Sequence, residues 1–274
     1  MHIYMDESGS FTIPPDGRHT ISCVVALVLP SDDKETIFCE FQSLRNSWGQ
    51  GSKEIKGSSL NESQIRQVVL LLSEFDVLVE VCATDMALYT ADHISEHKKV
   101  QAENLTKHLA PSHHPQLIQQ VNVYKAALLR TSDQLHIQST LTIELIDRVV
   151  RIATLYYCQR LPKELAAFHW SMDAKDNQMT AIEEYWSTLM LPFLERRSIA
   201  KPFAQLVGGD YSYFERFLLT FDSAPAHTRN DLAASNGPFE AVDRVRPGRP
   251  SKGAVRTMEI DNERQGAYSP PHTV

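Results

Sequence analysis

His2-Ile3-Tyr4-Met5-Asp6-Glu7-Ser8-Gly9 opens the chain with an apolar run that stops on two carboxylates and a Ser-Gly turn. Ile3, Tyr4 and Met5 suit a buried strand, and Ser8-Gly9 suits a chain reversal. Asp6 is therefore expected at the mouth of a strand, held rigidly yet open to solvent. A rigid carboxylate in that position is a good first ligand for a hard divalent cation. The plainer alternative is an ordinary strand ending in polar turn residues. The rest of the chain bears on that choice.

Working outward, residues 10–19 read as a loop with Pro14, Pro15 and Gly17. Thr20 to Leu29 (TISCVVALVL) is a near-continuous β-branched run and predicts a central strand buried on both faces. Pro30 ends it, and Ser31 is the expected cap of a helix reaching about Trp48, with Ile37, Phe38, Phe41 and Leu44 on one face. Residues 49–53 (GQGSK) form a link to Glu54-Ile55-Lys56-Gly57. A helix over Glu62 to Phe75 comes next, capped by Asn61 or Ser59. Asp76 to Thr84 (DVLVEVCAT) predicts the next strand, which ends at Asp85.

Residues 86–160 change texture, with helical periodicity and few strand formers. Three helices are expected there, at about 91–109, 116–130 and 139–160, as a helical insertion on a mixed core. His93 and His97 stand one turn apart, the spacing of a metal pair, but no third ligand accompanies them, and a solvated face is the simpler reading. His113-His114 sits in a loop. Leu165 to Met172 (LAAFHWSM) predicts a strand ending in Asp173. Beyond it a helix over 180–194, a strand over 201–207 and a short helix over 211–221 are expected. From Arg244 the sequence turns basic, Pro/Gly-rich and aperiodic (RVRPGRPSKGAVR), which predicts a disordered tail over 244–274 beside a main unit over 1–243. That basic tail is either a contact for phosphate backbones or simply a solvated segment.

The 274 residues hold 42% hydrophobic and 22% charged side chains, as soluble globular proteins do. A net charge of −7 is not by itself that of a nucleic-acid binder, although an acidic site balanced by metal ions would account for part of it. Cys23, Cys39, Cys82 and Cys158 are widely spaced and read as free thiols in a reducing compartment. No signal-peptide pattern or membrane-length apolar run is visible, so a cytoplasmic location with no membrane partner is expected.

Three predicted strands end in an aspartate: Asp6, Asp85 and Asp173. Glu54 precedes a helix between the second and third predicted strands. Acids gathered at one sheet edge repel one another unless a cation sits among them. Mg²⁺ or Mn²⁺ fits that role, and two ions roughly 3.5–4 Å apart can clamp the attacking and leaving oxygens of a phosphodiester. Lys56 would steady a phosphate or pair with a carboxylate. Each acid alone has an ordinary account: Asp85 caps the succeeding helix, and Asp173 serves a turn toward Asp176.

Tyr4-Met5-Asp6-Glu7-Ser8-Gly9, the apolar second strand and Glu54-Ile55-Lys56-Gly57 resemble the bacterial domain-of-unknown-function 3800 family. That family opens on Asp-Glu-Ser-Gly and carries a Glu-Leu-Lys-like segment after its first helix. The resemblance covers about residues 1–243. It implies an α/β, ribonuclease H-like mixed sheet flanked by helices, and a divalent-metal site. By it Asp6 is the first-strand acid, Glu54 the helix acid, Asp85 the acid after the next central strand and Asp173 the late-strand acid. The family's C-terminal Asp-Ser stretch and Gln-x-x-Asp helix have no close counterpart; Asp222-Ser223 and Asp231 are the nearest, poorly spaced. Three readings are open: a Mg²⁺- or Mn²⁺-dependent nuclease acting on RNA or DNA, a binding or regulatory module that keeps the fold without catalysis, or a defective product of an interrupted gene.

Overall fold

The computed structural model describes residues 1–49, 55–107, 109–173 and 203–219, strands at 241–242 and 255–259, and a few single residues and pairs between 185 and 201. Its centre is a five-stranded mixed sheet. The first strand, β1 (His2–Ser8), lies between β2 (Ile21–Leu29) and β4 (His169–Asp173). β3 (Leu78–Asp85) flanks β2, and β7 (Val255–Glu259) flanks β4, giving the order β3-β2-β1-β4-β7. The β1–β2 and β2–β3 pairs are antiparallel, β4 runs parallel to β1, and β7 is antiparallel to β4. A two-residue ribbon joins β5 (Leu218–Leu219) to β6 (Ala241–Val242). This is an α/β protein with a mixed sheet, as the alternation of patterns implies. The strand at 255–259 lies within the stretch whose composition reads as aperiodic.

Among the described residues, five α-helices with full bounds accompany the sheet: α1 (Lys34–Ser47), α2 (Glu62–Ser73), α3 (Ala91–Thr106), α4 (Pro115–Arg130) and α5 (Asp133–Arg160). Strand alternation divides the sheet into two faces. One face carries Ile3, Met5, Val24, Ala26, Val28 and Cys82, all buried, and α5 packs on it through Leu145, Ile146, Val149, Ala153 and Tyr157. The other face carries Tyr4, Asp6, Val25, Val79 and Val81. Tyr4 meets Phe38 of α1 edge-on, with ring centroids 6.3 Å apart, but Val79 and Val81 stay exposed. The second strand is thus fully buried on one face only, not on both as its composition suggests. Apolar composition reports burial summed over faces; how well the second layer covers the sheet is set by packing.

Other boundaries shift for identifiable reasons. Ser31 does not cap α1. Its amide and hydroxyl instead donate to Glu164 Oε2, both at 2.9 Å, and the Met1 ammonium meets the same oxygen at 2.9 Å. Asn61 does cap α2, in a capping box with Gln64. The last long helix begins at Asp133, six residues before 139, because Ser132 accepts the Leu135 amide as its cap. Asp76 lies ahead of β3, accepting hydrogen bonds from Tyr156 Oη at 2.7 Å and Arg160 Nε at 2.6 Å. Of the strand expected over 201–207, the described residues 203–207 are irregular chain leading into a turn at Leu206–Gly209. The helix expected over 211–221 reduces to one 3₁₀ turn at Glu215–Phe217 before β5. Phe168, Phe214 and Phe217 pack there as an aromatic cluster, which supplies the apolar pattern that suggested a helix. The expected helix over 180–194 lies largely outside the described residues.

Candidate functional site

The strand directions decide where the three strand-terminal aspartates fall. β1 and β3 are each antiparallel to β2, and β4 is parallel to β1, so β1, β3 and β4 all end at one edge of the sheet. Asp6, Asp85 and Asp173 therefore share an edge.

Within that edge, Asp6 and Asp173 are neighbours. The parallel register pairs Met5 with Met172, and Asp173 is one residue further along β4, level with Asp6 on the adjacent strand. Adjacent strands lie about 4.8 Å apart. Asp85 is elsewhere along the edge. Asp6 aligns with Val25 and through it with Val81, four residues short of Asp85. That offset, with two strand spacings, separates the two α-carbons by roughly 16 Å. No single ion bridges that gap with metal–oxygen bonds of about 2.0–2.6 Å. Glu54 lies outside the described residues. Lys56 next to it is exposed, and its carbonyl anchors Ser59.

Asp6 is exposed but lies within β1 and not at its end, since the pairing with β2 runs on through Glu7 and Ser8; its Oδ1 accepts the adjacent Glu7 amide at 2.8 Å. Among the described residues, no Lys, Arg or His forms an ion pair with it. The turn after it is locked. Gly9 has φ +102°, and a β-carbon there would come within 2.7 Å of the Ser22 α-carbon. The buried Ser22 hydroxyl accepts the Phe11 amide at 3.0 Å. The Ser-Gly pair thus lets the loop lie flat on β2, which fixes the end of the strand that carries Asp6.

Asp85 is already engaged. Its Oδ1 accepts the Thr20 amide at 3.2 Å and the Ala87 amide at 3.0 Å, and its Oδ2 meets His19 Nδ1. It thereby caps the 3₁₀ turn Met86–Leu88. The hydrogen bond from His19, then that from the Ala87 amide, hold its carboxyl below the ordinary carboxylate value, and Asp85 in turn raises the His19 imidazole.

The helical insertion holds a second cluster. His97 is exposed on α3, as His93 is, but unlike His93 it also reaches a partner on α5. Its Nδ1 lies 2.9 Å from Nε2 of the buried His136, a residue that the α5 pattern hides among its apolar positions. Burial holds both imidazoles below the ordinary histidine value, His136 at about 4. A cavity of about 320 Å³ beside the pair is lined by His97, Asn104, Thr140, Phe193 and Arg197, among others. Arg197 is tied to Asp147 at 2.7 Å and to Glu144. His113 and His114 serve the backbone, bonding Ala110 and the first turn of α4. Among the described residues no three His, Cys, Asp or Glu side chains form a group able to hold a metal ion, and no helix is long and apolar enough to cross a membrane. Comparisons with protein-family models, curated proteins and solved structures give no match to this chain.

Proposed function

We propose that this chain is a divalent-metal-dependent nuclease, hydrolysing phosphodiester bonds at the carboxyl edge of a ribonuclease H-like sheet. The observation that carries the reading is that positions 6 and 173 lie level with each other, one residue beyond the last pair of the parallel strands β1 and β4. The strand order β3-β2-β1-β4, antiparallel from β3 to β1 and parallel between β1 and β4, supports it in the same sense. The chemistry of Asp6 fits a hard cation: an exposed oxygen donor on a rigid strand. Asp6 and Asp173 would hold Mg²⁺ or Mn²⁺, with Glu54 as the acid from the segment before α2. A bound divalent ion supplies Lewis acidity toward the phosphodiester and its attacking water. RNA or DNA is the substrate class.

A second reading, a binding or regulatory module on the same fold, is favoured by Asp85. Ligation by Asp85 would require it to leave His19 and two backbone amides. Calorimetric titration of Mn²⁺ into the full chain, with cleavage of single-stranded and duplex RNA and DNA, separates the two. The nuclease reading expects saturable binding and Mn²⁺-dependent cleavage, both lost in Asp6→Asn and Asp173→Asn. Absence of binding at millimolar Mn²⁺, or binding that survives Asp6→Asn, overturns it and leaves the module.

A further inference from the structure

β3 is an outer strand of the sheet: among the described residues nothing pairs with its far side. The ladder with β2 says which groups face outward. The Met86 amide donates to the Thr20 carbonyl, so the 20–86 pair is hydrogen-bonded, and antiparallel pairs alternate from there. Val79, Val81 and Ala83 then turn their amides and carbonyls away from β2. The same alternation puts the side chains of Val79 and Val81 on the poorly covered face, where they are 56% and 46% exposed. Outer strands of this length are ordinarily blunted by Pro, by Lys or by a bulge. Leu78-Val79-Glu80-Val81-Cys82-Ala83-Thr84 has none of these, and its one charge, Glu80, is answered by Arg148 of α5.

Helix α2 hands the chain to β3 through residues 74–77 and carries its own exposed apolar stripe. Ile65 and Val69 stand one turn apart, with Leu70 beside them, each about half exposed. Strand edge and helix stripe thus fall in one short stretch of chain.

We propose that this edge is the interface of a symmetric dimer, with β3 pairing antiparallel to β3 of a second copy about a two-fold axis near Val81. Antiparallel pairing of a strand with itself is self-complementary by construction, which suits a second copy better than an unrelated peptide. With the axis at Val81, Val79 faces the partner's Ala83 and Glu80 faces the partner's Cys82. No like charges oppose each other along the strand. Eight residues span about 27 Å, and the β3 layer with α5 packed on it is about 20 Å deep, an outline of about 540 Å² on each copy. The pair then clears the roughly 1,000 Å² total that a specific interface needs.

Sedimentation of the full chain from low to high micromolar concentration tests this, beside Val81→Lys and hydrogen exchange of β3. The expected result is a species of twice the 31.0 kDa chain mass, reduced to the single mass in Val81→Lys, which keeps a single cooperative melting transition. The Val79, Val81 and Ala83 amides should exchange slowly in the dimer and fast on dilution. A wild type that stays at the single mass overturns the proposal, as does a dimer that survives Val81→Lys. Should that variant fail to fold, exchange alone decides: rapid exchange at these three amides in a dimeric sample overturns it equally.

Discussion

Single residues around the Asp6 strand end carry more of the structure than their size suggests. Gly9 is required twice over, by its positive φ and by contact with the Ser22 backbone. Gly9→Ala is expected to cost about 2–3 kcal/mol, from the strained dihedral and the displaced strand end together, measured by urea unfolding. Its φ and its neighbour are properties of the fold, but the demand for a Ser-Gly turn after the carboxylates was legible in the sequence. Asp85 shows the reverse. Its position at a strand end was legible, whereas its partners were not, because His19 and Thr20 come from a loop 65 residues earlier that only the β2–β3 register brings alongside. Asp85→Ala is expected to lower the melting temperature while leaving Mn²⁺ affinity at Asp6 unchanged. Loss of metal binding in that variant, at intact fold, would return Asp85 to the ligand set.

At the scale of elements, the helix ends were readable where the capping is local and lost where it is not. The Asn61–Gln64 box lies within four residues, and the sequence narrowed the cap to Asn61 or Ser59, of which the structure uses Asn61; Asn61→Ala should cost about 1 kcal/mol in thermal or urea unfolding. Ser31 fits a cap equally well on paper, yet it serves Glu164, 133 residues away. The contact between α3 and α5 through His97 and His136 sets a pH dependence. Lys98 from α3 and Asp133 from α5 also face the pair, and Lys98 bonds Asp133 at 2.6 Å. The His136 imidazole titrates at about 4 when folded and near 6.5 when not. The unfolded chain therefore takes up the proton first, so stability is full above pH 6.5 and is lost as pH falls toward 4. The expected loss at about pH 5 is about 2 kcal/mol. His136→Gln should flatten the fall in melting temperature between neutral and mildly acidic buffer; an unchanged slope would assign the effect to His2, which burial also depresses to about 4.

For the whole molecule, the sequence carried the sheet's ingredients and the acids at its strand ends, but not the order in which strands lie side by side. That order makes Asp6 and Asp173 neighbours across 167 residues of chain and leaves Asp85 two strands away. The proposed function makes a thermodynamic demand of that arrangement. On that reading the carboxylates of Asp6 and Asp173 would repel each other without a cation, and the metal-free protein would carry a cost at that edge. Asp6→Asn removes one charge and should melt at the same temperature as the wild type, or higher, in buffer containing EDTA. Added Mg²⁺ should then raise the wild-type melting temperature with the logarithm of its concentration above Kd, by the equivalent of about 2.7 kcal/mol at a hundred times Kd, while the variant stays flat. Moderate NaCl should narrow the EDTA difference between the two proteins, because screening weakens exposed like-charge repulsion. A variant that melts well below the wild type in EDTA would make Asp6 a structural residue, and the acidic edge would then be a feature of the fold and not a metal site.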